Sequence, residues 1–303
     1  MTAISGSKLY NLKHMKVYMK SFLRKFTFFY KILKVIKGSQ HIILIDYKYR
    51  SEPRWGHGKP SHPLLYEIIN KNRNEYKEVL KSFLNFNEFF RKIPIKSDSN
   101  QSAEWGNTYF KPLDSLVLYS LVALKRPQTY FEIGSGNTTK FVRQAINDHH
   151  LNTNIISVDP TPRAEVDDLC DKIVRKQLDK IELELFLELK PGDFLSLDGS
   201  HCCFMNSDVT IFFIDILPRL KPNIFVHIHD ITLPNDYPID YHWSEQYLLA
   251  AYILAKGNLF DIFFPNYFVR NDNELSSILK DTWLSIGLDP GKIGGVSFWI
   301  KTV

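Results

Sequence analysis

The chain has 303 residues, 44% of them hydrophobic, and a formal net charge of +5. That length and apolar fraction exclude a disordered or fibrous chain and allow one large α/β domain with an added segment. Cys170, Cys202 and Cys203 lack CxxC spacing, which excludes a disulfide framework, and no run of about 18 apolar residues marks a membrane-spanning helix.

The charge is uneven along the chain. Residues 1–50 hold eleven Lys or Arg against one acid, Asp46, so the remainder is net acidic. Between the basic residues lie Leu23, Phe26, Phe28, Phe29, Ile32, Leu33, Val35 and Ile36, apolar nearly all round rather than along one stripe. A basic helical extension over residues 1 to about 40 is expected, with its lysines in water. Peripheral contact with an anionic membrane is the next reading, and nucleic acid is not expected because no binding motif accompanies the charge. Residues 1–20 lack the apolar centre of a secretory signal, so a cytoplasmic address is expected. A short apolar strand at 42–45, a loop at 47–63 dense in Gly, Pro, His and Arg, helices at 64–70 and 76–90, and a polar linker at 96–102 follow.

From residue 113 the pattern alternates. Helices are expected at 113–124, 138–147, 163–170, 182–188, 207–219, 244–256 and 273–285. Strands are expected at 129–133, 155–159, 172–175, 194–198, 223–229, 260–265 and 294–300. Such alternation predicts a doubly wound, mostly parallel Rossmann-like sheet, with ligands beyond the carboxyl ends of its strands. Glu132, Asp159, Asp198 and Asp230 all stand at those ends, so four acids from distant parts of the chain are expected around one crevice.

The most informative run is Tyr130-Phe131-Glu132-Ile133-Gly134-Ser135-Gly136-Asn137-Thr138-Thr139. Glycines 134 and 136 let backbone N–H groups approach a ligand, and Thr138 and Thr139 can cap the helix that follows. A dinucleotide turn would place a third glycine or alanine at Thr139 and would not ask for Glu132, so a cationic ligand without phosphate is expected. Asp159 then stands where a carboxylate takes both hydroxyls of a ribose.

With Asp159, this run resembles the class I S-adenosylmethionine-dependent methyltransferases. Leu197-Asp198-Gly199-Ser200-His201, Leu217-Pro218-Arg219-Leu220-Lys221-Pro222 and Val226-His227-Ile228-His229-Asp230-Ile231 resemble the branch holding the catechol-type and macrolide-sugar O-methyltransferases. So do Pro53 to Pro60, Leu233 to Pro238 and Trp243-Ser244-Glu245-Gln246-Tyr247. The resemblance implies a seven-stranded sheet closed by an antiparallel hairpin. The resemblance covers about residue 50 to the C-terminus; with the basic extension read from the charge, the expected division is a basic helical N-terminal extension and active-site cover over 1–105 and a donor-binding domain over 106–303. S-adenosyl-L-methionine would lie on Glu132, Gly134, Ser135, Gly136, Asp159 and Asp198.

O-methylation of a sugar-like or small-molecule hydroxyl is the implied reaction. His201 is the expected general base, since imidazole titrates near neutral pH. Asp198 and Asp230 match two carboxylates that hold Mg²⁺ or Mn²⁺ in the metal-dependent relatives, while Ile231 stands where those supply a third oxygen. Without metal, Asp198 would touch the donor's amino group and Asp230 would orient His201 or the acceptor. His227 and His229 share a strand face and are expected as a buried, hydrogen-bonded pair. Arg54, Trp55, His57, Lys59, Trp105 and Trp243 are polar-aromatic residues outside the sheet that suit an acceptor pocket for sugar faces or flat substrates, or surface packing, and the 50–63 loop is expected to cover that pocket. A non-catalytic module of the same fold, docked to a membrane or partner, and a metal-dependent hydroxylase on the same scaffold are the alternatives.

Overall fold

The computed structural model describes residues 52–162 and 165–303. The basic extension and the strand expected at 42–45 lie outside the described residues.

Helices α1 (Pro63–Asn70), α2 (Arg73–Phe83) and α3 (Asn87–Phe90) come first. They precede α4 (Pro112–Lys125), which is buried along almost its whole length. The alternating part then runs β1 (Thr129–Ile133), α5 (Asn137–His149), β2 (Asn154–Val158), β3 (Lys172–Val174), α6 (Glu184–Leu187) and β4 (Phe194–Leu197). It continues with α7 (Asp208–Ile211), β5 (Phe225–Ile228), α8 (Glu245–Leu254), β6 (Phe260–Pro265), α9 (Asn266–Asn271), α10 (Asn273–Ser277), α11 (Lys280–Ser285) and β7 (Phe298–Thr302).

The strands form one seven-stranded sheet in the order β3-β2-β1-β4-β5-β7-β6. β1 to β5 are parallel, and β7 runs antiparallel between β5 and β6. β4 and β5 are buried at every position, as expected of strands covered on both faces by helices. The chain winds outward from β1 to β3 and then returns to β4, so the crevice between the ends of β1 and β4 is the switch point at which such sheets bind ligands. Ile133, Val158, Leu197 and Ile228 end their strands at this side, and the four acids follow them within two residues or, for Glu132, precede the end by one.

Several expected elements are shorter or displaced, each for a local reason. The last strand begins at Phe298 rather than 294 because Val296 and Ser297 donate their N–H groups to the buried Asp114 carboxylate (2.9 and 2.8 Å), and Leu113 N–H bonds Gly294 O (3.0 Å). The stretch 294–297 therefore caps α4 instead of joining the sheet. The helix expected over 163–170 gives only a turn at Asp167–Leu169, whose last carbonyl is taken by the Arg143 guanidinium (2.8 and 2.6 Å); residues 163 and 164 are outside the description. The helix expected over 273–285 breaks into α10 and α11, with the Ser277 hydroxyl donating to Glu274 O near the break (2.7 Å). After α7 the helix widens over Phe212–Ile216 and tightens at Leu217–Arg219, where Pro218 has no N–H to give. The helix α9 was not expected.

The segment before α4 packs into the same core as the sheet. Trp105, expected at the acceptor pocket, is buried: its ring lies against Phe90, Phe141 and Trp283, and its Nε1 donates to Phe90 O at 3.1 Å. An indole so placed fills the core, which corrects that expectation.

Candidate active site

The turn after β1 is built around two glycines and a buried carboxyl. Gly134 has φ +86°, its N–H bonds Val158 O (2.9 Å), and an added Cβ would stand 1.9 Å from Asp198 O. β1 and β4 thus approach so closely there that only glycine fits. Glu132 turns away from the crevice into the start of α5, accepting from the Thr138 hydroxyl (3.0 Å) and the Thr139 hydroxyl (2.6 Å). Thr139 in turn accepts from Gly136 N–H (3.1 Å). Glu132 therefore shapes the turn from behind.

Burial pushes the Glu132 carboxyl from its ordinary 4.5 up to about 8, against the two hydroxyl bonds that favour its charge. Because the folded state then holds a proton that the unfolded chain has released, this group's contribution to stability is complete below about pH 4.5 and is lost as pH rises through about 8. Glu132→Gln is expected to flatten that slope in thermal melts between pH 5 and pH 8.5, with little change at the acid end. An unaltered slope in the variant would show that Glu132 is ionised throughout.

Asp159, one residue past β2, is held from three sides. Ser135 gives its N–H (3.0 Å) and hydroxyl (3.2 Å) to Oδ2, and Thr161 N–H reaches Oδ1 (2.8 Å). A short loop fastens the β1 turn to the β2 end in this way.

Past β4, the Gly199-Ser200 loop folds round Asp208, which accepts from Ser200 N–H (2.7 Å) and from the Ser200 hydroxyl. The next residue, His201, has φ +58° and is 8% exposed. Its Nδ1 lies 2.9 Å from Oε2 of Glu245, the first residue of α8. Its Nε2 faces Asp198 Oδ1 at 3.6 Å and Asp230 Oδ2 at 3.4 Å. Burial disfavours charge on the ring, but the Glu245 hydrogen bond and the charges of Glu245, Asp198 and Asp230 outweigh it, and the imidazole is held above its ordinary range. Burial likewise raises the carboxyl of Glu245, against the His201 bond. The Trp243 ring sits 4.4 Å from the imidazole, with Tyr241 and Tyr237 on Trp243.

Asp198, His201 and Asp230 each offer one ligand atom within 4.8 Å of the others. Ile231 is fully buried and offers none. His227 and His229 are the expected buried pair: His227 lies between Ser196 (2.7 Å) and Ser297 (2.8 Å), and His229 shares Ser297 (3.2 Å). Asp230, expected to orient His201 or the acceptor, faces Nε2, and Glu245 meets Nδ1. The sequence signal for Glu245 is an acid in the first turn of a helix beside Trp243.

The 53–62 loop is fastened to the segment after β5. Arg54 and Trp55 N–H groups bond Asp236 Oδ2 (2.6 and 3.0 Å), Asp236 N–H returns to Trp55 O (3.1 Å), and His62 N–H reaches Pro234 O (3.0 Å). The Trp55 ring lies tilted against His62 at 5.1 Å, His57 Nε2 lies 2.9 Å from Asp236 O, and Lys59 Nζ donates to Pro53 O (2.6 Å).

Residues 131–231 match the model of a family described as a methyltransferase domain. No curated protein matches the chain. Among solved structures, it is similar to an O-methyltransferase from Bacillus cereus in complex with SAH (16% identity over 80% of this chain and 96% of that one, TM-score 0.32). It is also similar to the SAH-bound Podospora anserina methyltransferase PaMTH1 (13%, 73% and 88%, TM-score 0.32), and to the plantazolicin methyltransferase BpumL in complex with SAH (10%, 79% and 100%, TM-score 0.36). The matched segment spans the glycine turn through the end of β5, so residues 131–231 match a methyltransferase domain laid on a Rossmann-like, seven-stranded sheet. Among the described residues, no helix is long and apolar enough to cross a membrane.

Proposed function

We propose that the protein transfers a methyl group from S-adenosylmethionine to a hydroxyl of a sugar-like or small-molecule acceptor, with His201 taking the acceptor's proton. One observation carries this reading: a buried imidazole whose Nε2 opens onto Asp198 and Asp230, beside the glycine turn at the switch point of the sheet. In the proposal the donor lies against Gly134, Ser135 and Gly136, its ribose on Asp159 and its amino group on Asp198, with Glu132 supporting the turn. Methyl transfer is an in-line displacement, so alignment and exclusion of water supply most of the acceleration. His201 must be neutral when the acceptor arrives, and the positive sulfonium beside the same carboxylates offsets the charge that holds its proton. Trp243, Tyr241 and the 53–62 loop form the acceptor side, which keeps residues 52–105 in the role of cover and 106–303 in that of donor domain.

Mass spectrometry with labelled donor over a panel of glycans and small phenols tests the reaction. No transfer to any hydroxyl, with transfer to amines instead, would overturn O-methylation. Asp159→Ala is expected to weaken S-adenosylhomocysteine binding by about 1.5–3 kcal/mol in calorimetry, from lost charge-assisted hydrogen bonds. Unchanged affinity in a folded variant would take Asp159 out of the site.

The Asp198, His201 and Asp230 cluster favours a second reading for how the acceptor is activated. Two carboxylate oxygens and one imidazole nitrogen suit Mn²⁺ better than Mg²⁺, which prefers oxygen throughout. Asp198 and Asp230 would hold the ion, which would polarise the acceptor oxygen. If His201 Nε2 joined them, it could not serve as base. Full turnover after exhaustive EDTA treatment would leave His201 to act alone.

A further inference from the structure

His201 and the start of α8 are bound to each other twice. The His201 carbonyl accepts from Ser244 N–H (2.9 Å) and Glu245 N–H (3.2 Å), serving N–H groups that a helix start cannot satisfy within itself. Glu245 then returns its side chain to His201 Nδ1 at 2.9 Å, and Ser244 Oγ accepts from Cys203 N–H (2.7 Å), which fixes the loop beyond. The main-chain bonds place the residue, at a φ of +58° that side chains rarely adopt, and the carboxylate sets the ring. Glu245 is fully buried, and its Oε1 has no hydrogen-bond partner among the described residues. A carboxyl kept in the core with half its capacity unused costs stability, and the core packing of α8 does not require it. Leu249, Ala250 and Ile253 supply the apolar contacts of that helix.

We propose that Glu245 is a positioning residue for methyl transfer: it holds His201 in the form protonated at Nδ1 and turns Nε2 into the crevice as the atom that receives the acceptor's proton. This rests on the methyltransferase reading above. The balance is complete without another reagent. The acceptor oxygen forms its bond to the methyl carbon, and the carbon–sulfur bond breaks with its electron pair passing to sulfur. The hydroxyl proton moves to Nε2, so the positive charge passes from the sulfonium to an imidazolium already paired with Glu245. Asp198 and Asp230 face Nε2 and receive no proton. A protonated Glu245 donating to Nδ1 would give the opposite arrangement, with hydrogen on Nε2 and no base in the crevice, so the position of one proton decides the matter.

The test uses the full chain with ring-¹⁵N-labelled histidine and S-adenosylhomocysteine as the probe. The His201 signals are assigned by their loss in His201→Gln. Above about pH 9, where the raised imidazole is neutral, the wild type is expected to carry its one ring proton on Nδ1, far downfield. Glu245→Gln should keep it there but move it upfield, and Glu245→Ala should lose it to exchange with water. On a hydroxyl acceptor from the panel, Glu245→Ala is expected to lower kcat about 10²-fold with donor KM unchanged. Glu245→Gln should recover part of that loss, and Glu245→Ala should add nothing in a His201→Ala background. A proton on Nε2 of the neutral wild-type ring, or a His201 signal unmoved in Glu245→Ala, overturns the proposal. Failure of the wild type to bind S-adenosylhomocysteine would instead defeat the methyltransferase reading, and the ring signals would still report on Glu245.

Discussion

His201→Ala is expected to bind S-adenosylhomocysteine as the wild type does while turnover on its acceptor falls roughly 10²–10⁴-fold, the usual contribution of a general base. The split between binding and turnover follows from the geometry. The imidazole faces Asp198 and Asp230 from the side of Trp243 and makes no bond to the Gly134 turn or to Asp159. Calorimetry and a labelled-methyl assay on the same preparation would measure both. Turnover within about threefold of wild type would reduce His201 to the residue that joins the β4 loop to α8.

The second large effect is expected at Gly134. Gly134→Ala must adopt a left-handed backbone at φ +86° and place a Cβ 1.9 Å from Asp198 O and 2.9 Å from Asp198 C. The left-handed region alone costs about 1–2 kcal/mol for an L-residue. The overlap involves backbone on both sides and cannot be relieved by a side-chain rotation, so a total loss of roughly 3 kcal/mol or more is expected. For a domain of this size that lowers Tm by about 6–12 °C. Donor affinity should fall by more than about tenfold, because separating the ends of β1 and β4 widens the crevice at its narrowest point. A variant that melts like the wild type and binds S-adenosylhomocysteine equally well would mean that the turn relaxes freely.

The strands of the parallel part were legible because each is a short apolar run closed by a turn or an acid. Thr129–Ile133 lies where the pattern put it, and Asn154–Val158 starts one residue earlier. The positions of Asp159, Asp198 and Asp230 at strand ends followed from the same pattern. What could not be read were partners made by the chain's return. Glu245 lies 44 residues from His201. Asp114 holds Val296 and Ser297 from 182 and 183 residues away, and so moves the start of β7. Glu132 shows a further limit: strand position placed it at the crevice, but did not show the two threonine hydroxyls of the next helix turn that donate to its carboxyl. Local pattern sets where a side chain stands, and burial decides what it faces.

The hold between the 53–62 loop and Asp236 bears on how acceptor range could change over evolution or in a laboratory library. Arg54 and Trp55 are gripped through main-chain N–H groups, and the return bond uses the Trp55 carbonyl. Gly56 cannot vary, since a Cβ there would meet Asn235 at 2.4 Å. Diversity at 54 and 55 therefore leaves the attachment intact, whereas a single change at 236 removes the acceptor of both N–H groups at once and leaves the loop on its main-chain bonds to Pro234 and residue 236. Selection for a new acceptor would be expected to accumulate at the first two positions and to spare the third.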